Sequence, residues 1–153
     1  MRCVILAWAT GLGFGYFPKI PGSIGTLWGI LLFYFLQPLP RLSYGVTIVV
    51  FTLVSVWIST IAENLLARKD DPRIVIDEVV GFLFATLGFS FHGPWIIGVY
   101  ILFRFFDIVK IFPVNWMQNH LPAGWGIVMD DVMAGIYACA VLHGLRYLWG
   151  IVV

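Results

Sequence analysis

The chain has 153 residues and a formal net charge of +1; 61% of it is hydrophobic and only 11% is charged, with a mean hydropathy of +0.96. Soluble domains carry about 25% charged residues, so a water-soluble globule is excluded and an integral membrane protein of one domain is the direct reading. No basic run could track a phosphate backbone, which excludes nucleic acid as a partner.

The first apolar stretch, Cys3 to Phe17, contains Gly11, Gly13 and Gly15 and leads into a Lys-Pro loop without a cleavage site. That rules out a signal peptide and predicts a re-entrant or interfacial segment. Next come Ser23 to Leu39, Ser43 to Ala62, the shorter Val79 to Phe91, Trp95 to Phe112 and Val132 to Val153. Breaks at Pro38, Pro40, Pro94 and Pro113, and a polar loop from Glu63 to Glu78, separate them. A span needs roughly 20 apolar residues, and lipid demands that each segment bond its own backbone. The expectation is an all-α, polytopic helical membrane bundle of about five spans plus the N-terminal segment. Cys3 and Cys139 stand in apolar surroundings without metal-like spacing and read as small buried hydrophobes.

Orientation follows from the cations. With the Glu63 to Glu78 loop in the cytoplasm, Lys19, Arg68, Lys69, Arg73, Arg104, Lys110 and Arg2 fall on the inner side, against Arg41 and Arg146 on the other. That asymmetry is the positive-inside pattern. The same threading brings Asp77, Glu78, Asp107, Asp130 and Asp131 to similar depth at the cytoplasmic face. A carboxylate in or beside hydrocarbon costs a few kcal/mol or more and marks a functional site by default.

Asp77 and Glu78 open a hydrophobic run, where a cap role explains one acid but not a pair. Hard cations such as Mg²⁺ take carboxylates together with substrate phosphate. Arg104, Asp107 and Lys110, three apart, share one helical face. They form either an ion-pair ladder or a fork, a ligand and a point charge for a phosphate and its metal. Asp130 and Asp131 open the last apolar run, and the following Ala134 and Gly135 let a neighbouring backbone approach closely. The loop Phe17 to Thr26, with Lys19 and the hydroxyls of Ser23 and Thr26, runs into a helix N-terminus and suits an anion. Asp70 and Asp71 read as turn residues, with Asp71 also a possible ligand contact. Glu63 reads as either a solvated helix end or a group near the metal. His92 falls on the opposite face, His120 nearer the chemistry, and His143 reads as a packing residue.

In order along the chain, Pro21-Gly22-Ser23-Ile24-Gly25-Thr26, Ile74-Val75-Ile76-Asp77-Glu78-Val79-Val80-Gly81, Phe103-Arg104-Phe105-Phe106-Asp107-Ile108-Val109-Lys110 and Gly126-Ile127-Val128-Met129-Asp130-Asp131-Val132-Met133-Ala134-Gly135 resemble the blocks of the phosphatidylglycerophosphatase A family. Ser23 stands where the family usually has Thr, and Lys110 is followed by Ile111 where a Pro is usual. The resemblance implies one integral membrane phosphatase domain, multi-pass in the bacterial inner membrane with its site facing the cytoplasm. It also implies Mg²⁺-dependent conversion of phosphatidylglycerophosphate to phosphatidylglycerol.

On that reading Asp77, Glu78, Asp107 and Asp131 hold one or two Mg²⁺ ions, and Asp130 positions or deprotonates water. Arg104, Lys110 and Lys19, with Ser23 and Thr26, bind the phosphate. Asp77, Asp130 and Lys110 are the expected catalytic residues. The rival from another class is a small ion or proton transporter, which predicts acids spread along a path through the bilayer. The Asp-Gly/Ala-Arg signature of CDP-alcohol phosphotransferases is absent. Oligomeric state is left open by the sequence.

Overall fold

Prolines and left-handed residues set the helix boundaries. A computed structural model describes residues 2–152 of the chain, with side chains through residue 150. It contains seven α-helices and, among the described residues, no strand: α1 (Arg2–Ala9), α2 (Pro21–Leu36), α3 (Arg41–Leu66), α4 (Ile76–Ala85), α5 (Gly93–Val109), α6 (Val114–His120) and α7 (Gly124–Val152). A single 3₁₀ turn, Phe14–Tyr16, links α1 to α2. Pro21 and Pro94 sit in the first turns of α2 and α5, where a missing N–H costs nothing. Ala67 and Lys110 end α3 and α5 in the left-handed region, at φ 52° and 49°.

The helices at the roughly five expected spans differ widely in length. Two helices, α3 (26 residues) and α7, are long and apolar enough to cross a membrane. At 16 and 17 residues, α2 and α5 reach only about 25 Å. The Val79 to Phe91 run yields a helix that stops at Ala85, after ten residues and about 15 Å. Its physical role is different from a span: eight of those ten residues are buried. A helix that is apolar all round belongs in a core rather than on a lipid face. Helices α2, α3, α5 and α7 surround it. The seams are Gly29 on Phe82, Tyr44 bonded to Leu83, the Phe82–Phe103 ring pair, and Gly135 on Gly81.

These seams also give the helix directions. Against α4, contacts climb together along α2 (Gly22 with Glu78, Gly29 with Phe82) and along α7 (Gly81 with Asp131, Leu87 with Cys139). They run oppositely along α5 (Phe82 with Phe103, Phe89 with Trp95) and along α3, where Tyr44 at the start meets Thr86 at the end. Thus α2, α4 and α7 are parallel, while α3 and α5 return. The N-termini of three helices and the C-termini of two share one end of the bundle.

The N-terminal segment opens with the short helix α1 and packs against the bundle. Ile5 and Ala9 of α1 pack on Ile58, Ala62 and Ile76, and the Ala9 carbonyl accepts the Val75 N–H at 2.8 Å. The outward faces are apolar: Val46, Val49, Leu53 and Trp57 on α3, and Leu145 and Leu148 on α7, stand exposed.

Candidate functional site

All eight acids of the chain lie at the end where α2, α4 and α7 begin and where α3 and α5 finish. Asp77 and Glu78 occupy the first turn of α4. Asp107 is in the last turn of α5. Asp130 and Asp131 do not open their helix as expected, because α7 starts at Gly124 and places them about two turns in. Its first turn has no acid, so capping cannot account for this pair.

Carboxylate oxygens of Asp77, Glu78 and Asp131 all lie within 4.8 Å of one another. Asp77 and Asp131 are buried and Glu78 is half-buried. Asp107 neighbours Asp131, and its Oδ2 is 2.7 Å from Arg104 Nη1. Lys110 Nζ donates to Asp130 Oδ2 at 2.6 Å, and Asp130 Oδ1 accepts the Asp131 N–H at 3.0 Å.

The cluster is electrostatically incomplete. Five acids face two cations, Arg104 and Lys110, each already paired with one of them. Two carboxylates 4.8 Å apart repel by roughly 3–4 kcal/mol at an effective dielectric near 20. Polar atoms are also left over. Asp77 Oδ1, Glu78 Oε2, and Arg104 Nε and Nη1 are buried without a hydrogen-bond partner. Arg104 Nη1 is close enough to Asp107 for an ion pair but not aligned for a hydrogen bond, so its N–H groups aim elsewhere. Native proteins pair the large majority of such atoms, and four in one cluster call for a ligand-sized explanation. Oxygens that need a cation therefore stand beside N–H groups that need an anion.

Three close backbone approaches hold this geometry. A Cβ on Gly22 would collide with Glu78 Oε1 and sit 3.0 Å from both terminal nitrogens of Arg104. One on Gly25 would lie 2.8 Å from the Val75 side chain and 3.2 Å from Glu78 Oε2. One on Gly81 would lie 2.6 Å from the Asp131 carbonyl and from the Phe103 ring. The start of α2 is thus pressed onto Glu78, and α4 onto α7, closely enough for carboxylates from two helices to meet.

The family model described as phosphatidylglycerophosphatase A matches residues 7–146. The chain belongs to the phosphatidylglycerophosphatase A family. It is 26% identical to phosphatidylglycerophosphatase A of Escherichia coli K12 over 92% of this chain and 83% of that protein. To the Haemophilus influenzae protein of the same name it is 35% identical, over 91% and 86%. A Bacteroides thetaiotaomicron protein with the provisional name phosphatidylinositol-3-phosphatase is 34% identical over 92% of each chain. No solved structure matches. As a member of this phosphatidylglycerophosphatase A family the chain is a phosphatase, and with its apolar helices it is membrane-associated.

Other expected residues of this phosphatase fall outside the cluster. The Thr26 hydroxyl donates to the Gly22 carbonyl of its own helix at 2.9 Å. Ser23 is half-buried in the first turn of α2, whose N-cap offers no side-chain hydrogen bond. Lys19 is exposed just before α2, at φ 75°. His120 stacks on Trp116, and its Nδ1 bonds the Trp116 carbonyl within its own helix. His143 is satisfied at the far end by the Leu87 carbonyl, 2.8 Å away.

The loop acids turn out to be braces. Asp71 is buried and takes a forked pair of bonds from Arg73 Nε (2.7 Å) and Nη2 (2.6 Å), plus the Arg73 N–H at 3.0 Å. Those bonds hold its carboxyl below the usual range, against the opposing effect of burial. Glu63 accepts the Asp70 N–H at 3.1 Å, and Asp70 accepts from Gln118 of α6. The sequence reading missed α6 and the roles of Gly22 and Gly25. Glycines at 22, 25 and 29, which share one helical face, were the available signal for the latter.

Proposed function

We propose that this phosphatase hydrolyses the terminal phosphate monoester of phosphatidylglycerophosphate, releasing phosphatidylglycerol and phosphate, at the cytoplasmic face of a bacterial inner membrane. The observation that carries the reading is that carboxylate oxygens without a hydrogen-bond partner stand in one buried cluster with Arg104 nitrogens whose N–H groups also lack one. Two relatives bear the name of this activity, and the third is named for another lipid phosphomonoester. The apolar exterior supports a multi-pass bundle. Seven of the nine cations stand at the acid end or on α1 beside it, which supports a cytoplasmic orientation.

The donor set fits a hard divalent cation. It is all oxygen and carboxylate-rich, with Asp77 Oδ1 and Glu78 Oε2 lacking any other partner. Asp77, Glu78 and Asp131 would hold Mg²⁺, with Asp107 beside them. Bound there, it supplies Lewis-acid polarisation of the phosphoryl oxygens. Arg104 binds the phosphate through Nε and Nη1, and its fork matches two phosphoryl oxygens. The start of α2, pressed onto Glu78 and Arg104 at Gly22, would offer its free N–H groups and Ser23 to the same anion, with Lys19 as an outer attractor. Thr26 braces α2 instead. Asp130, oriented by Lys110 and by the Asp131 N–H, takes the proton from the attacking water. Water oxygen bonds to phosphorus as the bond to the glycerol oxygen breaks; Lys110 offsets the charge that develops and gives a proton to the departing glycerol oxygen, regaining one from Asp130 Oδ2, 2.6 Å away.

A transporter needs carboxylates along a path through the bilayer, whereas here every acid is at one end. Purified protein in detergent should release phosphate from phosphatidylglycerophosphate with Mg²⁺ and stop with EDTA. Release at the same rate in EDTA contradicts the metal reading, and no release from this lipid under any divalent ion contradicts the substrate.

A further inference from the structure

Beside the acids lies a half-open cavity of about 520 Å³ between α1, α2, α3 and α4, in the size range of small-ligand sites. Its walls are Trp8, Trp28, Leu32, Leu36, Phe51 and Val79. Two features tie it to the catalytic end rather than to bulk lipid. On α4 its lining residues Ile76 and Val79 flank Asp77 and Glu78 directly in sequence. On α2 the lining residues Trp28, Leu32 and Leu36 continue the helical face of Gly25, the residue pressed against Glu78 Oε2. This face therefore begins at a carboxylate and ends in apolar side chains. From Gly25 to Leu36 it spans about 16 Å, close to half of a hydrocarbon core of roughly 30 Å, which is one leaflet. A second hollow of about 520 Å³ behind Trp8 and Phe51 is bounded by α1 and α3 alone and reaches none of the acids.

We propose that the cavity running from Ile76 and Val79 to Leu36 is a built seat for one acyl chain of the phospholipid substrate, positioning its phosphate over the acid cluster. The inference rests on the lipid-phosphatase reading above. Occupancy adds apolar contact that a short-chain lipid cannot make, so it favours long-chain substrate. The seat also works as a ruler: obstruction near the acids shortens the chain that fits more than obstruction at the distal end.

The test compares dipalmitoyl with dihexanoyl phosphatidylglycerophosphate in mixed micelles, for wild type, Leu32→Trp, Leu36→Trp and Leu31→Trp. Leu31 is exposed on another face of α2 and lines neither hollow. Leu32→Trp should lower kcat/KM for the dipalmitoyl lipid by about tenfold and leave the dihexanoyl lipid within about twofold. Leu36→Trp should give a smaller loss confined to the dipalmitoyl lipid, and it carries the test alone if Leu32→Trp fails to fold. Leu31→Trp should change neither. Equal losses on both lipids, or cavity variants that behave like Leu31→Trp, overturn the seat while the phosphatase reading stands. Wild type that cleaves neither lipid overturns that reading and the seat with it.

Discussion

The two ends of this bundle treat polar groups in opposite ways. At the far end, where α2 and α4 finish and α3 and α5 begin, there is no acid and the polar side chains are matched. Tyr44 Oη bonds the Leu83 carbonyl (3.0 Å) and Thr86 Oγ1 (2.7 Å), Gln37 Oε1 accepts the Phe91 N–H, and His143 meets Leu87. In the cluster at the near end, five acids crowd two cations, Arg104 and Lys110. Of the six buried side-chain polar atoms without a partner among the described residues, four belong to Asp77, Glu78 and Arg104, and the others are the hydroxyls of Ser55 and Ser59. One end has its polar groups matched, while the other retains repulsion and unmet hydrogen bonds, as the proposed metal and phosphate site requires. Substitutions should therefore move stability in opposite directions at the two ends.

The largest effect is expected at the near end. Asp131→Asn should lower phosphate release by two to three orders of magnitude, the scale of losing one transition-state electrostatic contact. In metal-free buffer the same protein should melt higher than wild type, because one of three mutually repelling carboxylates has gone. A variant that is inactive and also less stable without metal would mean that Asp131 supports the fold.

At the far end the sign reverses. Tyr44→Phe should cost about 1 kcal/mol of stability through the lost hydrogen bonds while kcat and KM stay near wild type. Chemical denaturation in detergent beside a phosphate-release assay checks both, and a large loss of activity would break the division between the ends.

The smallest effect belongs to the Asp71–Arg73 brace. A carboxyl held low in the fold contributes stability above its unfolded pKa, which is roughly 3.9, and loses it as pH falls through the lower folded value. Asp71→Asn should thus be less stable than wild type at neutral pH, with the difference closing below about pH 4. Melting curves across that range test it, and a gap that widens with acid would contradict the cause given.

This contrast between ends explains what could be read in advance. Convergence of the acids was legible because it depends only on where apolar runs stop and which way each helix must return. The Gly135 contact was legible too, since small residues in an apolar helix mark close packing. The length of α4 was not: Val79 to Phe91 is continuously apolar whether lipid or protein surrounds it, and only the packed neighbours distinguish the two. The start of α7 was hidden by Gly124 and Gly126, which read as loop. Gly124 is instead helical because α3 lies against it, with no room for a Cβ and with Thr60 Oγ1 accepting its N–H at 3.1 Å. Thr26 was read as a ligand group for its hydroxyl, but a buried threonine in a helix can satisfy itself on the preceding turn.

Equilibrium binding of Mn²⁺ to the detergent-purified protein, followed by electron paramagnetic resonance, tests most directly whether the carboxylates of α4 and α7 share one ion. The account predicts saturable binding to wild type, competed by Mg²⁺, and a drop of at least about tenfold in affinity for both Asp77→Asn and Asp131→Asn. Equal affinity in wild type and both variants would contradict it.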